Sequence, residues 1–216
     1  NLSKIVNLAK TRGLIQTNPI DLLPLKMQTV EREFLTQDEL KRLEEKQIGV
    51  SRLEQVRDIF LFCCLTGLAY VDVASLSTEN IVEGKRGRQW LRKARNKTNN
   101  MCNIPLLRPA LRILEKYAEY RAATGRLLPV PSNQKMNAYL KELATLCGVA
   151  KNLTTHCARH TFATTVTLAN GASLENVSKM LGHSSIRMTQ HYAKILNSSI
   201  ERDMDKIESE LIGEDE

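Results

Sequence analysis

The stretch His156-Cys157-Ala158-Arg159-His160-Thr161, followed by Leu181-Gly182-His183 and by Gln190-His191-Tyr192, places one phenol downstream of two histidine-bearing segments and an arginine. A tyrosine beside imidazoles and a guanidinium suits attack on a phosphodiester. The phenol serves as nucleophile and forms a covalent protein–phosphate bond, while the cations stabilise the charge that develops on the phosphate oxygens, with no metal required. All four histidines of the chain lie between 156 and 191. A single isolated histidine is more often a cap or a satisfied core contact; four beside Arg159 and Tyr192 point to a site.

With Thr155 as the expected N-cap, His156, Arg159 and His160 fall at i, i+3 and i+4 and share one helix face. At a helix start they also share the positive end of the dipole, which favours a phosphate. The spacing of His156 and His160 is that of a zinc protease helix, but position 157 is cysteine where a glutamate is required, and Arg159 would repel a metal. No metal and no cofactor are expected. Gly182 reads as a helix C-cap, which places His183 on a turn where a side chain can meet a ligand. Tyr192 comes nine residues later, on or after a short helix. The other tyrosines, Tyr70, Tyr117, Tyr120 and Tyr139, are read as ordinary surface or core aromatics.

Outward from this stretch the chain reads as mainly α with a small antiparallel β-sheet, an α+β class. Thr36-Gln37-Asp38-Glu39 is a capping box that opens a helix running to about Lys46. Helices are further predicted at Leu53–Thr66, stopped by Gly67, then Val71–Leu76, Pro109–Ala123, Asn133–Leu146, Thr155–Ala169, Ser173–Leu181, Ser185–Tyr192 and about Ser199–Leu211. Between Ile81 and Leu106, short runs separated by turn residues predict two or three antiparallel strands. The basic run Arg92-Lys93-Ala94-Arg95-Asn96-Lys97 then falls at a hairpin tip. A charged tip is ordinarily just solvated, yet a lysine there can reach a leaving oxygen and protonate it. Before Thr36, an amphipathic stretch with Leu2, Ile5, Val6, Leu8 and Ala9 is broken at Asn18-Pro19, and residues 19–33 read as a linker.

The chain has 216 residues and a formal net charge of +7. From Glu201 onward eight acids face only Arg202 and Lys206, so residues 1–200 carry +13. A body that basic favours a polyanion, because cationic surfaces gain affinity by releasing counterions from phosphates. The five cysteines, Cys63, Cys64, Cys102, Cys147 and Cys157, show no C-x-x-C spacing and read as small apolar fillers in a reducing compartment. No apolar run approaches the ~20 residues of a membrane span, so a cytoplasmic protein with no membrane contact is expected.

Taken in order, Thr66-Gly67-Leu68 with Asp72, Lys97-Thr98 leading to Ile104-Pro105-Leu106, His156-x-x-Arg159-His160-Thr161, Leu181-Gly182-His183 and His191-Tyr192-Ala193 resemble the catalytic domain of the tyrosine recombinases, the phage integrase family. The integrases of bacterial conjugative transposons and related mobile elements are the most similar in character. The resemblance covers residues 34–196 and implies the DNA breaking-rejoining catalytic fold. Residues 1–33 then resemble the end of a core-binding domain and its linker, and residues 197–216 a C-terminal helix and acidic tail that dock on a neighbouring protomer or fold back.

By the same resemblance Tyr192 is the nucleophile that forms a 3′-phosphotyrosine and releases a 5′-hydroxyl. Arg159 and His183 hold the nonbridging oxygens, Lys97 protonates the 5′ oxygen, and His156 assists transfer of the phenol proton. Asp72 and His160 support. The implied partners are double-stranded DNA, further protomers in a synaptic tetramer and accessory DNA-bending proteins, with action at the bacterial nucleoid. The implied function is site-specific recombination serving integration of a mobile element. The alternatives are an impaired DNA-binding relative and a relaxing enzyme like the type IB topoisomerases.

One position departs from the family pattern: Ala69 stands where an arginine follows Thr-Gly-Leu. A methyl group cannot donate hydrogen bonds to phosphate. Arg57, one helix earlier, is the expected substitute, against the plainer reading that it pairs with Asp58 or Glu54.

Overall fold

Thr36 opens the first helix of the main body with the expected capping box. Its hydroxyl accepts the Glu39 N–H at 3.3 Å, and the Glu39 carboxylate accepts the Thr36 N–H at 2.8 Å. The computed structural model describes residues 2–23, 33–193, 204–205 and 207–209. The chain divides into two compact units, residues 1–31 and 32–216. In the first, helix α1 (Leu2–Thr11) is followed by a 3-10 turn, Pro19–Leu22, where a linker was expected. The Asn18 side chain caps that turn by accepting the Ile20 N–H, and Pro19 presets its first residue.

The second unit contains α2 (Gln37–Glu45), α3 (Ser51–Thr66), α4 (Tyr70–Ala74), then β1 (Ile81–Glu83), β2 (Gln89–Ala94) and β3 (Met101–Pro105). The helices α5 (Arg108–Lys116), α6 (Ala118–Thr124), α7 (Asn133–Leu146), α8 (Thr155–Thr161), α9 (Leu174–Met180) and α10 (Arg187–Ala193) follow. The strands form one antiparallel sheet in the order β1-β2-β3. Leu91 on β2 pairs with Ile104 on β3, and both are buried, so one sheet face closes onto the helices.

Helix α3 is the centre of the core. Leu53, Val56, Ile59, Phe60, Phe62, Cys63 and Cys64 are buried around its circumference, and it packs against α2, α5, α7 and α8. An all-round apolar helix is stable only when enclosed in this way. All five cysteines are buried with no disulfide. Burial pushes the Cys63 thiol up to about 12 and the Cys157 thiol up to about 11, so both are inert fillers, as expected.

Three local departures have physical causes. The helix expected over Pro109–Ala123 is two helices, broken at Tyr117. Lys116 and the Tyr117 hydroxyl both reach the Asp58 carboxylate of α3, at 2.6 and 3.0 Å, and the helix breaks where it is anchored. The N-cap of α8 is Thr154, whose hydroxyl accepts the Cys157 N–H at 3.0 Å, rather than Thr155. Beyond Thr161 the helix widens to a π-helix, Phe162–Thr167, and ends at left-handed Gly171. There the Thr167 hydroxyl donates to the carbonyls of Phe162 and Ala163, competing with the backbone ladder. Of the helix expected at Ser199–Leu211, only Met204, Asp205 and Ile207 to Ser209 are described, all helical. The rest of it, the acidic end and residues 24–32 lie outside the described residues.

Candidate active site

Two helix ends meet at one arginine. Helix α3 stops at Gly67, whose φ of 68° is left-handed. A Cβ there would come within 2.5 Å of the Phe162 ring and 2.8 Å of the Leu181 side chain, so only glycine lets these elements close. The Gly67 carbonyl accepts Arg159 Nη1 at 2.6 Å, and the Leu181 carbonyl, just past α9, accepts Nη2 at 2.6 Å. Arg159 is only 5% exposed. Burial first, and the Arg95 charge next, push its pKa down. It remains a cation, with N–H groups beyond those two bonds.

On α8 the rings of His156 and His160 meet edge to face, their Nε2 atoms 3.1 Å apart, so one nitrogen donates and the other accepts. His156 is exposed and His160 is buried. The His160 ring lies 5.0 Å from that of Tyr192, and the His183 ring stacks on Tyr192 at 6.2 Å with an interplanar angle of 5°. Tyr192, on α10, is itself 6% exposed. It is close enough to Arg159 that a phenolate there supports the guanidinium charge.

His183 follows left-handed Gly182 and is held by its Nδ1, 2.8 Å from the buried Thr189 hydroxyl. Its pKa is pushed down to about 4, by burial and then by the positive charges of Arg159 and Arg95. The ring is therefore neutral near pH 7. With the Thr189 hydroxyl donating to Nδ1, the ring proton lies on Nε2, a donor without formal charge; the opposite tautomer donates from Nδ1 to the hydroxyl.

The β2–β3 loop is clamped from two sides. Arg95 and Asn100 close it through Arg95 N–H to the Asn100 carbonyl at 2.9 Å. Asp72, 1% exposed on α4, accepts the Asn96 N–H at 2.9 Å, and the Asn100 amide donates to the Gly182 carbonyl at 3.2 Å. Lys97 sits exposed on the turn between these anchors, at the hairpin tip where the sequence places it. Asp72 thus reaches the site through backbone: it fixes the loop that carries Lys97.

Tyr192, Arg159, His160, His156 and His183 are brought together, with Asp72 and Lys97 on the adjoining clamp. Arg57 is not brought there. Its Nη1 donates to the Lys46 carbonyl at 2.6 Å, and its Nε and Nη2 lie 3.4 and 3.3 Å from Asp58 Oδ1. It lines a separate groove with Lys116 and Ile113. The ion pair with Asp58 is the reading that holds, because Asp58 is buried beneath it and needs the positive charge.

The residue that sequence reasoning missed is Arg95. Its side chain lies against Gly182: a Cβ on that glycine would be 3.0 Å from Arg95 Cδ and 3.4 Å from Cγ. Its Nε is buried with no hydrogen-bond partner among the described residues. The only sequence signal was its place beside the loop closure, two residues before Lys97, within a run where any of four cations could have pointed inward.

This fold, mainly helical with a small three-stranded antiparallel sheet, gathers the cluster around one tyrosine. The chain matches the Phage integrase family over residues 33–198, and it belongs to that family. Tyrosine recombinase XerA of Pyrococcus furiosus is 30% identical over 183 residues, covering 78% of this chain and 60% of the relative. Tyrosine recombinase XerD of Rhizobium meliloti is 32% identical over 146 residues, covering 62% and 45%. The chain therefore spans no more than about three-fifths of these curated relatives. Among solved structures, the Tn1549 transposon integrase in complex with a circular intermediate DNA superposes with a TM-score of 0.68 at 18% identity, covering 95% of this chain and 76% of that one. A lambda integrase dimer bound to a COC′ core site superposes with a TM-score of 0.67 at 23% identity, covering 88% and 69%. Both likenesses concern the fold.

Proposed function

We propose that the protein is a site-specific DNA recombinase that cleaves and rejoins duplex DNA through a 3′-phosphate ester on Tyr192, in the service of a mobile element. The observation that carries this is the enclosure of the Tyr192 phenol by His160, His183 and Arg159. In the step itself the Tyr192 oxygen bonds to phosphorus as the bond from phosphorus to the 5′ oxygen breaks. The phenol proton passes to the His156–His160 pair, and the departing 5′ oxygen takes a proton from Lys97. Arg159 and the neutral Nε2–H of His183 donate to the nonbridging oxygens, where charge rises in the transition state. Reversal with another strand's 5′-hydroxyl rejoins the DNA.

The relatives named above are recombinases and integrases, and the two solved neighbours are bound to DNA. Their likeness supports a duplex DNA substrate and assembly of protomers on it. Residues 1–33 are read as the end of a core-binding domain, and the C-terminal segment as a docking element between protomers.

A pool of nicked suicide duplexes of randomised sequence tests the reading, incubated with the complete protein in excess chelator. A denaturant-resistant protein–DNA adduct is expected from wild type and none from Tyr192→Phe. An equal adduct from both proteins, or none from either, would sink the proposal. Joining of two separate duplexes then distinguishes recombination from relaxation. Ala69 favours one other reading, a relative that binds DNA without cleaving it, and the absence of any adduct is the result that reading requires.

A further inference from the structure

Arg95 brings a guanidinium to the Gly182 turn. Its aliphatic stem lies along Gly182, next to His183, and its Nε is withdrawn from solvent without a hydrogen-bond partner among the described residues. Buried side-chain donors are nearly always satisfied, and one that is not calls for a ligand, ion or water to explain it. A guanidinium carries five N–H groups in a planar fork that matches two oxygens of a phosphate. Arg95 also lies close enough to Arg159 and His183 to disfavour a proton on either, so positive charge is concentrated at one point. Asp72 is a carboxylate whose charge favours the Arg159 cation, and its Oδ1 already accepts the Asn96 N–H.

The backbone explains how this arginine arrives. Ala69 is the N-cap of α4, two residues beyond the carbonyl that holds Arg159. From the same helix Asp72 grips the amide of Asn96, the residue after Arg95, while Asn100 grips the Gly182 carbonyl. The hairpin loop is thereby drawn against the α4 end on one side and the Gly182 turn on the other. We propose that Arg95 is a catalytic residue that contacts a nonbridging oxygen of the scissile phosphate, supplying from the β2–β3 hairpin the second guanidinium that Ala69 cannot provide. The arginine has changed its place in the sequence, and the charge at the phosphate is kept.

This rests on the recombinase reading, and the adduct assay separates the two. An adduct from wild type and none from Tyr192→Phe establishes the chemistry before Arg95 is judged. Removing one such donor from a charge-stabilising site typically slows the step by about 10²–10³-fold. Arg95→Ala is expected to form adduct slower by that factor, with Arg95→Lys between it and wild type, and Arg57→Ala to match wild type. Thermal unfolding of each variant reports whether the fold is intact.

A substrate whose scissile phosphate carries a methyl in place of one nonbridging oxygen supplies a readout that a structural role would not move. That linkage has no formal charge, so it needs fewer cations. The deficit of Arg95→Ala against wild type is expected to shrink at least about tenfold on it, since that deficit is the loss of charge stabilisation. Wild-type adduct formation by a folded Arg95→Ala would overturn the assignment. So would a deficit of the same size on the charged and the neutral linkage.

Discussion

Arg159 and His183 face the same small space with opposite electrostatic designs. Arg159 is a permanent cation whose orientation is fixed by two carbonyls at helix ends. A lysine in its place cannot reach both carbonyls and a phosphate from one planar group. Arg159→Lys should therefore lower adduct formation by about 10²–10³-fold, measured as single-turnover trapping. His183 is kept neutral by burial and by its cationic neighbours, with a folded pKa of about 4 against an ordinary 6.5. Between those values the unfolded chain takes up a proton at this position and the folded chain does not. Its contribution to stability is thus complete above about pH 6.5 and is lost as the pH falls towards 4. Urea midpoints across that window should fall for wild type and fall less for His183→Asn; equal pH dependence would contradict the assignment. The histidines, Arg159 and Tyr192 were legible because a helix repeat and a glycine turn fix where each side chain lies. Arg95 was not, because which of the four cations turns inward depends on hairpin register and on a clamp from Asp72, 24 residues before Asn96, and from Gly182, 82 residues after Asn100.

At the scale of elements, the site is an intersection of ends. The α3 terminus, the Gly182 turn and the β2–β3 loop are tied by backbone hydrogen bonds to side chains on other elements. Gly67→Ala would place a Cβ in the Phe162 ring and force a left-handed alanine, the latter alone costing about 1–2 kcal/mol. A lower denaturation midpoint is expected, together with loss of trapping. Asp72→Ala should leave the core intact but free the loop that carries Arg95 and Lys97. Hydrogen exchange at the Asn96 amide should accelerate while α3 amides keep their protection, and adduct formation should fall. Unchanged exchange at Asn96 would show that Asp72 does not hold the loop. The capping box at Thr36 and the stop at Gly67 were readable in advance, since each depends on residues within one turn. The break at Tyr117 was not, because it follows from a buried carboxylate on another helix.

At the scale of the molecule, the match to the Phage integrase family spans residues 33–198, and the chain carries positive charge well in excess of its acids outside the C-terminal end. If that charge meets a duplex, affinity falls with salt by a slope of about −0.9 per phosphate neutralised. Titrations of a labelled duplex at several salt concentrations should give such a slope, and Lys97→Ala should flatten it by no more than about one contact. No helix among the described residues is long and apolar enough to cross a membrane. The most direct measurement is the identity of the residue that holds DNA. Adducts from the suicide pool, digested with protease and nuclease and read by mass spectrometry, should carry a nucleotide on the peptide containing Tyr192, joined through a 3′-phosphate, with a free 5′-hydroxyl on the released strand. A nucleotide on any other residue, or a 5′-phosphate on the released strand, would contradict the account.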